Sequence, residues 1–326
     1  MSLRSTRTLD HIIHLIPPSK VTDSAEQFRQ LGFNVIDGGT HAGGLTFNSL
    51  VIMPDGTYIE LFSFTHPESH YPPSSSSHEA RHRHPLANKA CGWAAYAFLG
   101  VPPSPSPPLQ PPPPPLSTLL NERLRDAGSS TRYDAEFVVS RQQQQSSSSS
   151  SDGSDFEIRG EITPPAGWSS QKEGGTRLPF FCGDLTPREL RVPTRPRSNT
   201  EHPNGALGIA HLRVLAPPNV FAAVTSELTA IVGEPPIEAD NGDREDQENE
   251  RRARKLVWLL DLPGQVTPTL NPQLVLCEPD VENEAELRFI QNHGAGLFEV
   301  GVRVDESGGK RGWSETPFGR VAWLPV

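Results

Sequence analysis

Cysteine is scarce in this chain: there are three among 326 residues, Cys91, Cys182 and Cys277. They are odd in number and far apart, and no Cys-x-x-Cys pair occurs, which excludes a disulfide framework and a zinc ribbon. Cys182 and Cys277 lie in apolar runs without an adjacent base, so we expect them to be inert core thiols. Reduced cysteines of this kind are typical of an intracellular protein.

The sequence also lacks long apolar runs and basic stripes. No stretch approaches the roughly twenty apolar residues of a membrane span, and Arg4 and Arg7 precede no apolar signal-peptide core, so we expect a cytoplasmic protein that does not engage a membrane. The formal net charge is -10. Without a Lys/Arg stripe interleaved with aromatic residues, nucleic acid is excluded as a partner.

Several catalytic signatures are missing as well. There is no Gly-x-Ser-x-Gly elbow, no G-x-G-x-x-G and no Walker motif, which argues against serine hydrolases and nucleotide-binding folds. His78-Glu79-Ala80-Arg81-His82 matches H-E-x-x-H, a zinc-protease motif that requires a buried helix. Because serines precede it and Pro85 follows, we interpret the match as accidental, within a loop spanning residues 65–88.

Proline, by contrast, is abundant, with 34 residues, and low-complexity tracts interrupt the chain. A Pro-rich run spans residues 102–115, a Gln/Ser-rich run spans 142–155, and an acidic run spans 238–250. Such segments bury too little apolar surface to offset the entropy of ordering, so we predict disordered, solvated insertions. One alternative is that the Pro-rich run docks onto SH3-like or WW-like partners as a polyproline II helix.

Between these tracts, one succession of elements recurs: a strand, a helix ending at glycine, and further strands. It divides the chain into a first module at residues 1–66, a second at 90–192 and a third module-like region at 204–326. Helices are predicted at 21–31, 116–127 and 219–232 from the spacing of apolar residues and the glycine that follows each. Strands are predicted at 33–36, 45–53, 57–64, 93–99, 133–139, 156–162 and 178–185, and in the runs KLVWLLDL, PQLVLCEP, GLFEVGVRV and GRVAWLPV. Pro54-Asp55-Gly56 predicts a hairpin turn.

Four motifs of the first module carry a family resemblance. They are Asp10-His11 on the first strand, FRQLGF at residues 28–33, the glycine-rich stretch 38–48, and Tyr58-Ile59-Glu60-Leu61 on the last strand. In order and spacing they resemble the first module of the vicinal oxygen chelate superfamily, and within it the glyoxalase-like group. The resemblance implies an α+β fold of repeated βαβββ modules, with curved mixed sheets that form a cleft.

The resemblance also implies a metal site, because the superfamily carries His on a first strand and Glu on a last strand. Transferred to this chain, the metal ligands are His11, Glu60 and His211, a set that suits Zn, Fe(II), Mn or Ni and leaves positions open for substrate oxygens. Strand alternation places His11 on one face with Ile13, and His14 on the other.

The remaining site predictions concern the substrate. His41 and Asn48 of the glycine-rich stretch are expected to project into the cleft, with His41 and Glu60 in catalytic roles. Trp93 is expected to line the cleft wall as a substrate contact. The competing interpretation of the stretch is structural: a turn whose glycines, 38, 39, 43 and 44, need positive φ values.

Two functions remain open at this level. The first is a metal-dependent enzyme acting on a small oxygenated substrate, of lyase, isomerase or dioxygenase type; the second is a metal-free protein that binds or sequesters a small molecule. The glutathione-binding residues of glyoxalase I have no identifiable counterpart. A homodimer is left open.

Overall fold

The computed structural model describes residues 5–100, 114–143, 156–168, 177–238, 253–263, 271–316 and 319–326. The three predicted low-complexity insertions fall almost entirely outside these ranges. Of the Gln/Ser run, the described residues 142 and 143 complete a strand.

The first module contains one helix and four strands. They are β1 (Leu9–Ile16), α1 (Val21–Gln30), β2 (Ile36–His41), β3 (Thr46–Ile52) and β4 (Tyr58–Phe64). Helix α1 buries Val21, Ala25 and Phe28 and is followed by Gly32 at φ 88°, as its apolar spacing predicts. The predicted strand at 33–36 is wrong, because β2 begins only at Ile36. Here the Asn34 amide donates to His202 Nδ1 (3.0 Å) rather than to a neighbouring strand.

A tight hairpin joins β3 to β4, as predicted. The two strands pair antiparallel from Thr46 opposite Phe64 to Ile52 opposite Tyr58. In the turn, the Asp55 carboxylate accepts hydrogen bonds from the Thr57 amide (2.9 Å) and hydroxyl (2.6 Å). An aspartate bonded to the backbone two residues on is the ordinary mechanism of such turns.

The second module repeats the succession after an intervening helix. The elements are α2 (Ser76–Arg83), β5 (Gly92–Leu99), α3 (Leu116–Asp126), β6 (Phe137–Gln143), β7 (Phe156–Thr163) and β8 (Phe180–Asp184). The predicted loop at 65–88 is wrong where α2 lies, because the Ser75 hydroxyl accepts from the His78 amide and caps a helix. The strand predicted at 133–139 begins only at Phe137, since the Tyr133 amide donates to the Asn121 side chain.

These two modules close into one barrel, in the strand order β1-β4-β3-β2-β6-β7-β8-β5. Two antiparallel seams join them, β1 with β5 and β2 with β6. Within each module the first and last strands are parallel, β1 with β4 and β5 with β8. The architecture confirms the predicted α+β class and the curved βαβββ modules.

The remaining residues build a second, open sheet. After α4 (Arg188–Arg191) come β9 (Ala206–Leu215), α5 (Pro218–Val232), β10 (Ile237–Glu238), β11 (Lys255–Leu259), β12 (Gln273–Cys277), α6 (Glu284–His293), β13 (Gly296–Val304), β14 (Gly312–Thr316) and β15 (Gly319–Pro325). The strand order is β10-β11-β12-β9-β13-β15-β14.

This sheet contains the third module and part of a fourth. Strand β9 lies between parallel β12 and antiparallel β13, as β1 lies between β4 and β5. Strand β13 is parallel to β15, but a 3-10 turn at Glu306–Gly308 stands where a module would place its helix. The chain therefore consists of two pairs of modules, of which the second pair is abbreviated.

The barrel and the open sheet share one core. A single apolar cluster joins Leu9, Ile12 and Phe28 of the first module to Leu212 and Val300 of the open sheet. No helix in the described part of the chain is long and apolar enough to span a membrane.

Candidate metal and substrate site in the barrel

The barrel encloses a cavity of about 460 Å³. His11 and Ile13 both line it, as strand alternation predicts, whereas His14 faces away and packs edge-on against Phe28 and Trp93. The wall is mainly apolar, and its polar groups are the side chains of His11, His41, Asn48, Glu60, Arg141 and Arg191 among others. A mainly apolar cavity with a few convergent polar groups is typical of a small-molecule site.

His11 is held from behind by an ionised carboxylate. Its Nδ1 lies 2.7 Å from Asp10 Oδ2, and both residues are buried. Burial opposes ionisation of Asp10, but the charges of Arg191 and Arg188 keep the pKa of this carboxyl well below its usual range. Because an ionised carboxylate only accepts hydrogen bonds, Nδ1 carries a proton, and Nε2 is the ring nitrogen that faces the cavity.

Glu60 lies between two imidazoles. His11 Nε2 is 3.5 Å from Glu60 Oε2, and His41 Nε2 is 3.8 Å from Glu60 Oε1. Asn48 donates to Oε1 at 2.5 Å, while Thr46 Oγ1 lies 2.9 Å from His41 Nδ1. Burial, aided by the positive charge of Arg141, lowers the pKa of His41, although the charge of Glu60 acts in the opposite direction.

His211 does not join this group. It lies on β9 of the open sheet, where its Nε2 is 3.1 Å from Glu299 Oε1. Glu299 in turn accepts a hydrogen bond from Arg320 at 2.6 Å. The predicted set of His11, Glu60 and His211 is therefore not assembled, because the first module closes onto the second and not onto the third. His41 takes the place beside Glu60 that was expected of His211.

The second module contributes little metal-binding chemistry at the matching positions. Ala97 of β5 is paired with His11, and Cys182 follows Phe180 on β8 as Glu60 follows Tyr58 on β4. Burial raises the pKa of the Cys182 thiol to about 12, so it is neutral at physiological pH. The candidate metal-binding side chains of the cavity therefore come from the first module.

The predicted substrate contact Trp93 lies elsewhere. Its indole Nε1 donates to the Arg320 carbonyl (3.0 Å), and the ring packs in the core between the barrel and the open sheet. The cavity is instead lined by Trp168, whose buried Nε1 has no hydrogen-bond partner among the described residues. No local sequence signal marks Trp168 as a cavity residue.

Arg141 is a second site residue that the sequence did not reveal. It lies on β6, and its Nη2 donates to the Arg191 carbonyl (3.0 Å) while Nη1 lies 3.4 Å from Asn48 Oδ1. Its buried Nε is unpartnered within the described residues. The neighbouring Gln/Ser tract had obscured the strand that carries it.

The glycine-rich stretch has features of both the structural and the functional interpretation. Gly39, Gly43 and Gly44 have positive φ values of 135°, 81° and 69°, as a structural role requires. Gly38 does not; there, a Cβ atom would collide with the Asn48 side chain. Gly38 therefore makes room for the amide that contacts Glu60.

Two βαβββ modules closed around a His–Glu pair define a vicinal oxygen chelate protein. A family model described as a glyoxalase-like domain matches residues 9–231, and the chain belongs to that family. No curated protein sequence matches the chain significantly.

Among solved structures, the fold is similar to that of a hypothetical protein from Staphylococcus aureus. The identity is 10% and the TM-score 0.58, over 98% of this chain and 99% of that one. A mutant 4-hydroxymandelate synthase from Streptomyces coelicolor aligns with 12% identity and a TM-score of 0.45, over 96% of this chain and 78% of that one. The first similarity supports the fold alone. The second TM-score is too low to support any conclusion about this chain.

Proposed function

We propose that this protein is a metal-dependent enzyme acting on a small oxygenated molecule inside the barrel. His11 and Glu60 would hold a divalent ion, with His41 as a base beside it. The observation that carries the proposal is the chain of contacts from Asp10 through His11 to Glu60. A carboxylate behind a histidine fixes the tautomer whose free nitrogen is suited to bind a metal.

The separation between His11 and Glu60 fits such an ion. Metal–nitrogen bonds of about 2.05 Å and metal–oxygen bonds of about 2.1 Å, opened to about 110°, place the two donor atoms roughly 3.4 Å apart. His11 Nε2 and Glu60 Oε2 are 3.5 Å apart. Imidazole and carboxylate ligands suit Zn, Fe(II), Mn or Ni, and two protein ligands leave positions open for substrate oxygens.

A bound ion would supply a Lewis acid for an oxygen of the substrate. The chain's own groups do the rest. His41, with its lowered pKa, is a neutral base beside the metal site. Asn48 orients the Glu60 carboxylate, and Arg141 would place a positive charge on the cavity wall for a substrate oxygen. Lyase, isomerase and dioxygenase chemistry are all compatible with this arrangement.

Elemental analysis by mass spectrometry tests the proposal, on untagged protein purified without chelator. Glu60→Gln should lose one equivalent of metal per chain relative to the wild type. Glu299→Gln is the matched control, because it changes a glutamate beside a histidine in the open sheet. It should retain the full metal content. Unchanged stoichiometry in Glu60→Gln would contradict the metal assignment.

A metal-free binding protein is the second candidate function. It is favoured by Ala97 and Cys182, which replace metal ligands in the second module, and by the hydrogen bond that already engages Glu60 Oε1. Native mass spectrometry of metal-stripped protein separates the two candidates. A co-purified small molecule that survives stripping would favour the binding role, whereas its release together with the ion would favour the enzyme.

A further inference from the structure

A group of side chains of metal-ligand type lies outside the barrel cavity, in the segment that connects β4 to β5. Glu68 belongs to a 3-10 turn at Glu68–His70, and His78 and His82 belong to α2. Their potential ligand atoms all lie within 4.8 Å of one another, and within the described ranges theirs is the one such group of three His, Cys, Asp or Glu side chains. His82 Nε2 is 2.8 Å from Glu68 Oε1.

Helix geometry explains why the two histidines converge. Residues four apart lie one above the other on the same face of a helix. His78 and His82 accordingly have ring centroids 4.5 Å apart.

Contacts on other sides of α2 fix its rotation. Arg81 is buried, its guanidinium lies 3.4 Å from the centre of the Phe64 ring, and it reaches the Ala87 carbonyl. At the first turn, the Ser75 hydroxyl accepts from the His78 amide at 3.1 Å. The helix is thus anchored to β4 through Arg81, and this orientation directs His78 and His82 toward Glu68.

We propose that Glu68, His78 and His82 bind one zinc ion, which ties α2 to the preceding 3-10 turn. Two imidazole nitrogens and one carboxylate oxygen are common zinc ligands, and water would complete the tetrahedron, since Glu68 and His82 are exposed. The three-residue set shares no member with His11, His41 and Glu60 in the cavity.

The role that follows is structural and not proteolytic, even though two of the ligands belong to an H-E-x-x-H sequence. Glu79, which would act as the base in a zinc protease, forms an exposed i,i+4 ion pair with Arg83 at 3.3 Å. Immediately after α2, His84, Pro85 and Leu86 line the barrel cavity. An ion that fixes the helix would therefore restrain one wall of the substrate site.

The test uses full-length protein in a Glu60→Gln background, so that the cavity site does not contribute. Isothermal titration of the metal-stripped protein with zinc chloride should give one site per chain. His82→Gln and His78→Gln should each weaken it by more than the 10- to 100-fold that losing an outer contact typically costs. Glu79→Gln, inside the same sequence motif, should leave the affinity unchanged.

Two results would overturn the proposal. One is the absence of a zinc site in the Glu60→Gln protein at micromolar concentrations; the other is zinc binding that neither histidine substitution weakens. Thermal unfolding without metal verifies that each variant is folded. Because the two sites share no ligand, a failure here leaves the cavity assignment standing, and loss of the cavity site leaves this one standing.

Discussion

The barrel and the open sheet each place a histidine of a first strand beside a glutamate, yet the two pairs differ electrostatically. In the barrel, His11 and His41 approach Glu60, and the nearest hydrogen-bond donor is the neutral amide of Asn48. In the open sheet, Glu299 forms an ion pair with Arg320, whose Nη2 lies 2.6 Å from Glu299 Oε2. Although burial opposes it, the hydrogen bond from His211 and the charge of Arg320 lower the pKa of Glu299. Among the described residues, an arginine is hydrogen-bonded directly to Glu299 but not to Glu60, which leaves Glu60 the better candidate for a metal ligand.

The two regions also differ in what supports these pairs. Beneath the cavity, Asp10 and Asp184 both form ion pairs with Arg191, at 2.9 and 2.5 Å respectively. Both also form ion pairs with Arg188. In the open sheet, the partly exposed Arg213 makes one ion pair within the described part of the chain, with Glu286 at 2.7 Å. The barrel site thus rests on a buried charge network, which a single substitution should disrupt.

The largest expected effect is on stability, from Arg191→Leu. This change leaves two buried carboxylates without their main cation, and breaking a buried pair costs about 3–5 kcal/mol. Arg213→Leu in the open sheet should cost less, about 1–3 kcal/mol, because its guanidinium is partly exposed. Urea unfolding of both variants measures the difference. Equal losses would mean that the barrel network gives no special support.

Asp10→Asn should weaken metal binding by about 10- to 100-fold, the usual cost of losing the group that orients a metal-binding histidine. Asp184→Asn is the control, since Asp184 contacts Arg191 and Arg188 within the same network. It should lower stability while the metal affinity of the folded protein stays unchanged. Titration of metal-stripped protein with the ion found by elemental analysis provides the measurement.

A pH dependence of stability is expected from His14, where barrel and open sheet meet. Burial lowers the pKa of His14 from 6.5 to about 3, and its Nε2 lies 3.0 Å from Thr316 Oγ1 of β14. Between these pH values the unfolded chain binds a proton that the folded protein excludes. Stability should therefore fall as pH decreases from 6.5 toward 3, by about 1.4 kcal/mol per pH unit for this one group.

His14→Phe should remove that contribution to the slope, as measured by urea unfolding at pH 6 and pH 5. Thr316→Val is the control, because it removes the hydrogen-bond partner but keeps the imidazole. The Thr316→Val protein should be less stable than the wild type, with the same dependence of stability on pH. An unchanged slope in His14→Phe would assign the pH dependence to other groups.

The smallest effect concerns the reactivity of the cysteines, which should be equally low for the buried thiols of the two regions. Cys182 in the barrel and Cys277 in the open sheet are both buried, and burial raises the pKa of each. Cys91 is exposed. Burial raises the pKa of Cys91 as well, so accessibility sets it apart: native protein should present one fast-reacting thiol to a disulfide reagent, and Cys91→Ser should present none. A second fast thiol would show that one of the two regions opens.

Local sequence patterns predicted the first module well, since α1 has clear apolar spacing and Pro54-Asp55-Gly56 marks the hairpin. They also placed His11 and Glu60 in one module. Helix α6 and strand β14 were missed: the former opens with an acidic turn, and the latter exposes Trp313. Both sequence patterns are typical of solvated loops.

Module pairing could not be predicted, and this explains the errors at the site. Strand periodicity specifies which face a side chain occupies but not which edge strand it will meet. His211 was therefore grouped with His11, although β5 closes the barrel against β1. Trp93 was placed in the cleft for the same reason, and Arg141 and Trp168 became recognisable only once the second module enclosed the cavity.

The hairpin of β6 and β7 bears on how this family could change over evolution. The strands pair in register from Phe137 opposite Ile162 to Gln143 opposite Phe156, and Arg141, Ile158 and Ile162 of this hairpin line the cavity. The twelve residues 144–155 connect strand ends that are already aligned. Doubling the length of a loop costs only about 0.6 kcal/mol. Insertions and deletions can accumulate there almost neutrally, while selection acts on the residues of the paired strands.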